Sequence, residues 1–132
     1  MKVSLRLLIY SHAFHPSVGG SENACRLLAD GFVAAGHQVQ IVTKSPGPAT
    51  ESFSYPIHYS PSPAGVFRLV RWSDVYVHSN VSLRGAWPLL CLRRPWVIIH
   101  HSRITRVTGE LIWIDHLKHF CTRFAKNIAV LC

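Results

Sequence analysis

SHAFHPSVGGSENACRLLADGFVAAGHQVQIVT, residues 11–43, is the stretch on which the fold turns. It passes from a glycine-bearing turn, through helical spacing, to the alternating run QVQIVT at Gln38–Thr43. Ahead of it lies the apolar run Val3–Tyr10, which reads as a first strand buried on both faces of a parallel sheet. Between the two, Ala24, Leu27, Leu28, Gly31, Phe32 and Ala35 recur at three- and four-residue intervals, so Ser21–Ala35 is expected to be a helix. Gly36 sits where a left-handed C-terminal cap belongs. Strand, helix and strand within about forty residues make a β-α-β unit, whose crossover is expected to be right-handed.

The same alternation runs on to the end of the chain. KSPGPATESFSYP reads as a surface loop because the strand-like PIHYS follows at once. Gly65–Trp72 reads as a short helix, Asp74–His78 as a strand, Ser82–Leu92 as a helix and Pro95–His100 as a strand. Glu110–Ala125 has an amphipathic pattern and Asn127–Leu131 closes as a last short strand. The expected architecture is therefore α/β, a doubly wound, mostly parallel, Rossmann-like sheet in a single domain over residues 1–132.

Composition fits that size of domain and narrows the partners. Of 132 residues, 48% are hydrophobic, enough for one core and too few for two full domains. The net charge of +8 is uneven: residues 1–66 carry four basic and three acidic groups, residues 67–132 ten and three, giving +1 and +7. Such a field suits an anionic partner, whether a phosphate-bearing ligand, nucleic acid or an acidic membrane surface. Cys25, Cys91, Cys121 and Cys132 show no C-x-x-C spacing, which points to reduced thiols in a cytoplasmic protein rather than a disulfide framework or cysteine zinc site. Arg6 interrupts the N-terminal apolar run, and Arg93, Arg94 and Pro95 break AWPLLCLRRPWVII, so no transmembrane span is expected.

The glycine loop is where chemistry is expected. In a doubly wound sheet, ligands bind beyond the carboxyl ends of the strands, and Phe14–Gly20 is the first loop at that edge. Gly19 and Gly20 allow a tight turn with exposed amide N–H groups, Ser21 is a suitable N-cap, and Glu22 favours the helix dipole. An anion fits there; a plain strand-to-helix turn accounts for the same glycines, and both readings stay open. The dinucleotide fingerprint G-x-G-x-x-G is missing, since the loop reads VGGSENA, and the second strand ends in Thr43-Lys44 with no acidic residue for a ribose. NAD is disfavoured on both counts, while Lys44 leaves room for a 2′-phosphate of NADP type.

Taken together, FHPSVGGSENACRLLADGFVAAGHQVQIVT resembles the opening of the family 4 retaining glycosyltransferases. Phe14, Pro16, Gly19, Gly20, Glu22, Leu28, Ala29, Gly36, His37, Val39 and Thr43 fall on that family's pattern. SDVYVHSN, PWVIIHHS and AKNIAVLC are similar, less specifically, to its fourth strand, its fifth strand and the strand closing its N-terminal domain. The resemblance implies the N-terminal, acceptor-side half of a GT-B enzyme, with the C-terminal donor-binding domain and its glutamate pair absent from this sequence, and so a chain unable to catalyse transfer alone.

By that resemblance, sugar passes with retention from a nucleotide-sugar donor to a glycan or lipid-linked acceptor, as in polysaccharide or lipopolysaccharide biosynthesis. No metal and no cofactor beyond the donor are implied. Gly19 and Gly20 would border the donor diphosphate. The histidine ending the fifth strand would touch the transferred sugar, and alignment of VIIHHSRI favours His101 over His100. Arg103 and Arg106 would meet an anionic acceptor, or form a solvated basic surface, and His15 with His12 lies in the loop facing it.

The expected location is cytoplasmic, with a peripheral contact at the anionic inner face of the membrane, where Trp87 and Trp96 stand near Arg84, Arg93 and Arg94. Ordinary packing accounts for those tryptophans equally well. A non-catalytic basic module that binds membrane or nucleic acid stays open as an alternative, although no aromatic-basic RNA motif is present and no nucleic-acid partner is expected. His37 is expected to fix the turn after the first helix, and His78 to be structural or to line the cleft. His116 and His119, with Asp115, have an i, i+3 spacing that could bind a metal, but as a surface pair without a third ligand in view they are not expected to.

Overall fold

Apolar runs rich in Val, Ile, Leu and Tyr become strands, and the segments with three- and four-residue spacing become the helices that cover them. The computed structural model describes residues 3–12, 14, 20–45, 53–79, 83–100 and 126–129. In chain order these form β1 (Arg6–Ser11), α1 (Gly20–Ala34), β2 (Gln38–Thr43), β3 (Ile57–Tyr59) and α2 (Pro63–Trp72). There follow β4 (Val75–Ser79), α3 (Leu83–Ala86) with a 3-10 turn at Trp87–Leu90, β5 (Trp96–His100) and β6 (Lys126–Ala129). The six strands make one sheet in the order β3-β2-β1-β4-β5-β6. Every pairing is parallel.

Two apolar layers, one on each face, make the sheet doubly wound. Leu7, Ile9, Val39, Ile41, Val77 and Ile99 turn to the face covered by Cys25 and Ala29 of α1, joined by Phe14 and Tyr55. Leu8, Tyr10, Val42, Tyr76, Trp96 and Ile98 turn to the other, covered by Val66 and Val70 of α2. This is the period of two expected of strands, with β1 buried on both sides. The α/β, Rossmann-like reading of the sequence therefore holds. The order reverses between β1 and β4, which makes their carboxyl ends the switch point where such sheets take ligands.

Several local readings need correction. Val3 is 73% exposed, and β1 begins at Arg6. Helix α1 buries Cys25 and Ala29 with Leu28, Phe32 and Val33 beside them, whereas Leu27 is 73% exposed. Of the expected stripe Ala24, Leu27, Leu28, Gly31, Phe32 and Ala35, Leu28 and Phe32 therefore face the core while Leu27 does not, and the buried side is centred on Cys25 and Ala29. Because α1 opens at Gly20, Ser21 lies inside the first turn and is not the N-cap. Helix α2 starts at Pro63, two residues before the expected Gly65, with the Ser62 Oγ accepting from the Gly65 N–H at 3.2 Å.

The helix expected over Ser82–Leu92 is shorter and broken. Pro88 has no N–H to donate and its ring clashes with the carbonyl four residues back, so α3 ends at Ala86 and continues as a 3-10 turn. Trp96 is 9% exposed and belongs to the core, which removes it from any membrane-facing edge. The expected helix Glu110–Ala125 lies outside the described residues.

The turn between α1 and β2 behaves as read. Gly36 has φ +92°. His37 accepts the Leu5 N–H on Nδ1 at 3.2 Å, while its own N–H bonds to the Phe32 carbonyl at 3.0 Å, so it ties the turn to the start of β1. Cys25 is buried and Cys91 exposed, both as free thiols. Among the described residues no helix is long and apolar enough to cross a membrane.

Candidate functional site

The carboxyl edge of the sheet is built of small hydroxyl residues. In register, Ser11 lies between Thr43 and Ser79, and all three are buried.

The loops after β1 and β2 are bound together. The His12 carbonyl accepts from the Lys44 N–H at 3.3 Å and from the Thr43 Oγ1 hydroxyl at 3.5 Å. Ser45 closes the connection: its Oγ accepts the Phe14 N–H at 2.7 Å and donates to the Phe14 carbonyl at 2.9 Å. Phe14 is fully buried, against the ring of Phe53 at 5.7 Å. The start of the glycine loop is therefore clamped by one serine and one aromatic anchor, both set by the exit of β2.

Beyond Phe14, Gly20 opens the fifteen-residue helix α1, with Glu22 in its first turn. Of the other expected site residues, Gly19, His15, His101, Arg103 and Arg106 lie outside the described residues. His100 is the last residue of β5, in register with Ala129 of β6, so the chain following it leaves from the same carboxyl edge as the glycine loop.

Cys25 stands behind this edge. Burial pushes its thiol pKa up, against the lowering effect of hydrogen bonds with Ser79 and Ser11. It stays protonated at neutral pH and is not a nucleophile. His78 is fully buried, and neither ring nitrogen has a hydrogen-bond partner among the described residues. It stacks on Tyr10 at 5.2 Å and meets the edges of Tyr76 at 4.5 Å and Trp96 at 5.3 Å. Burial lowers its pKa to about 3, so it is neutral at physiological pH and structural, the first of the two readings made from sequence. Among the described residues no three His, Cys, Asp or Glu side chains gather to hold a metal.

A cleft of about 580 Å³ opens at the same edge on the α2 face. Tyr10, Val42, Thr43 and Lys44 form its floor from β1 and the end of β2, while Ser60, Pro61, Pro63 and Val66 wall it from the β3–α2 connection and Trp87 from the 3-10 turn. Ser60 makes the sharp turn off β3 with φ +44°, uncommon for a non-glycine residue, and its N–H bonds to the Thr43 carbonyl at 2.7 Å. Trp87 is stacked on Phe67 at 5.9 Å and stays 36% exposed. Sequence reasoning named Lys44 but not the cleft, whose walls come from four separate segments. Only the proline pair Pro61 and Pro63 hinted at a shaped loop there.

No protein-family model matches the chain, and comparison with curated proteins gives no match. Solved structures do match. An α-glucosyltransferase in complex with UDP and a 13-mer DNA containing an HMU base is similar over 96% of this chain at 18% identity, with a TM-score of 0.62. A UDP-N-acetylglucosamine 4-epimerase from Bacillus cereus is similar over 97% of this chain at 11% identity, with a TM-score of 0.57. A ligand-free aldohexose dehydrogenase from Thermoplasma acidophilum is similar over 91% at 14% identity, with a TM-score of 0.53. This chain spans 38%, 55% and 58% of those three proteins, respectively. At these identities the likeness is one of fold: a Rossmann-like sheet shared with a glucosyltransferase, an epimerase and a dehydrogenase.

Proposed function

We propose that the chain is the acceptor-side domain of a retaining glycosyltransferase that moves sugar from a nucleotide-sugar to a glycan or lipid-linked acceptor. The observation carrying this reading is the arrangement at the carboxyl edge: the segment after β1, clamped at Phe14 by Ser45, and α1, opening at Gly20, belong to the same sheet edge as the end of β5 at His100, two strands away from β1. The fold shared with a UDP-bound α-glucosyltransferase supports it, and so does the family 4 pattern of the loop. On this reading Gly19 and Gly20 let the backbone approach the donor diphosphate, where N–H groups stabilise the charge that grows on the leaving nucleotide. His101 contacts the transferred sugar, and Arg103 meets the acceptor. A second Rossmann-like domain would bring the donor, because this chain spans 38% of that glucosyltransferase.

A second reading has its own observation. Lys44 lies at the end of β2 on the floor of the cleft, where a nucleotide-binding sheet could hold a 2′-phosphate. The coding sequence past Cys132 separates the two readings. An in-frame second α/β domain carrying a glutamate pair supports the transferase; tight NADP binding by the 132-residue chain without such a domain supports the nucleotide-binding module.

A further inference from the structure

We propose that the cleft between β2, the β3–α2 turn and Trp87 binds an anionic amphiphile: an apolar chain or ring against its walls, with a phosphate or carboxylate at Lys44. Assigning this ligand as the acceptor's non-sugar part rests on the transferase reading; the binding itself does not.

The lining selects this chemistry. Tyr10, Val42, Pro61, Pro63, Val66 and Trp87 offer apolar surface, and about 580 Å³ is within the range that holds a small organic ligand. Polar groups are few. The Thr43 Oγ1 is already used, accepting from the Ser45 N–H at 3.1 Å and donating to the His12 carbonyl. Beside it stand the Ser60 and Tyr10 hydroxyls, the Trp87 indole N–H and the Lys44 ammonium, the last being the one charge among the described lining residues. A pyranose bound here would strand most of its hydroxyls, which is costly in a concave apolar site. An alkyl or aryl body with one anionic end pairs its charge with Lys44 and sets no hydroxyl against Val42, Val66 and the two prolines.

The walls are held before any ligand arrives. Trp87 is fixed by its stack on Phe67 and Tyr10 by its stack on His78. The backbone of Gly85 packs so close to the Tyr10 ring that a Cβ there would lie 2.9 Å from it. Ser60, with its positive φ, sets the direction of the proline wall. Pre-placed aromatic surface reduces the ordering that binding requires.

Calorimetry on the 132-residue chain tests this with four probes: monomeric octyl phosphate, octyl glucoside, inorganic phosphate and adenosine 2′-monophosphate. Octyl phosphate is expected to bind at least about tenfold more tightly than octyl glucoside or phosphate. Lys44→Met is expected to cost about tenfold for octyl phosphate and nothing for octyl glucoside. Trp87→Phe should keep the affinity while removing most of the ligand-induced tryptophan fluorescence change.

Equal affinity for octyl phosphate and octyl glucoside, or no effect of Lys44→Met in a folded protein, overturns the proposal. Tighter binding of adenosine 2′-monophosphate than of octyl phosphate overturns it in favour of a nucleotide. Octyl phosphate binding as described, in a protein whose completed form transfers no sugar, would leave this site standing and the transferase reading fallen.

Discussion

Tyr10 and His78, register partners on β1 and β4, stack with ring centroids 5.2 Å apart directly beneath the switch point of the sheet. On its other flank the Tyr10 ring touches Gly85 of α3, whose carbonyl accepts the Tyr76 hydroxyl at 2.6 Å. One aromatic layer therefore joins the buried core to the cleft floor, and the account makes this layer rigid.

Gly85→Ala tests that rigidity. The added Cβ meets Tyr10 ring carbons at 2.9 Å, and that ring is backed by His78, so neither side can yield cheaply. A loss of about 1–3 kcal/mol in urea unfolding is expected. Gly31→Ala is the control: it lies in the last turn of α1 with nothing within 4 Å, and a gain of up to about 0.5–1 kcal/mol is expected.

His78 makes stability pH-dependent with a definite sign. Its folded pKa, about 3, lies below the ordinary histidine value of 6.5, so between these values the unfolded chain binds the extra proton. Its contribution is fully present above about pH 6.5 and is lost as pH falls toward 3, at a limiting slope of about 1.4 kcal/mol per pH unit. His58 is shifted downward by burial in the same sense, so the quantity to measure is the difference between wild type and His78→Phe. Unfolding free energies at pH 7.5 and 5 should diverge in wild type more than in His78→Phe; parallel losses would show that His78 is not buried neutral.

Ser45→Ala tests the clamp on the glycine loop. It strips the Phe14 N–H and carbonyl of their buried partner, at a cost of about 1–3 kcal/mol. Amide hydrogen exchange at Phe14 should rise more than at the β4 residues, and unchanged protection there would separate the clamp from the loop.

Much of the fold was legible because strands buried on both faces are near-continuous apolar runs and because Gly36 marks the end of α1. What failed failed for local reasons. The stripe of α1 was legible at Leu28 and Phe32 and missed at Leu27, which is apolar and yet 73% exposed, and at Cys25, which is buried. Helix α3 was overextended because its spacing was weighed above Pro88. The glycine loop was legible as a site candidate because its residues are contiguous. The cleft was not, because Tyr10, Lys44, Ser60 and Trp87 meet only once β1, β2, β3 and the 3-10 turn are side by side, and the positive φ of Ser60 has no glycine to signal it.

Within the transferase reading, the two histidines after Ile99 have distinct roles. On that reading only one of His100 and His101 meets the sugar, because strand alternation carried one residue past His100 would turn them to opposite faces. In the enzyme completed by its donor domain, His101→Ala is expected to lower turnover about a hundredfold, with His100→Ala much milder. Gly20→Val should block donor approach while the protein stays folded. The reverse ranking of the histidines would place the sugar contact at His100.

The most direct measurement is proton NMR of the anomeric signal during reaction of the completed enzyme with a panel of nucleotide-sugars and an acceptor bearing an apolar, anionic aglycone. The account predicts transfer from one member of the panel, giving a product whose anomeric configuration matches that of the donor. A folded enzyme that neither hydrolyses nor transfers any donor, or one that yields the inverted anomer, would contradict it.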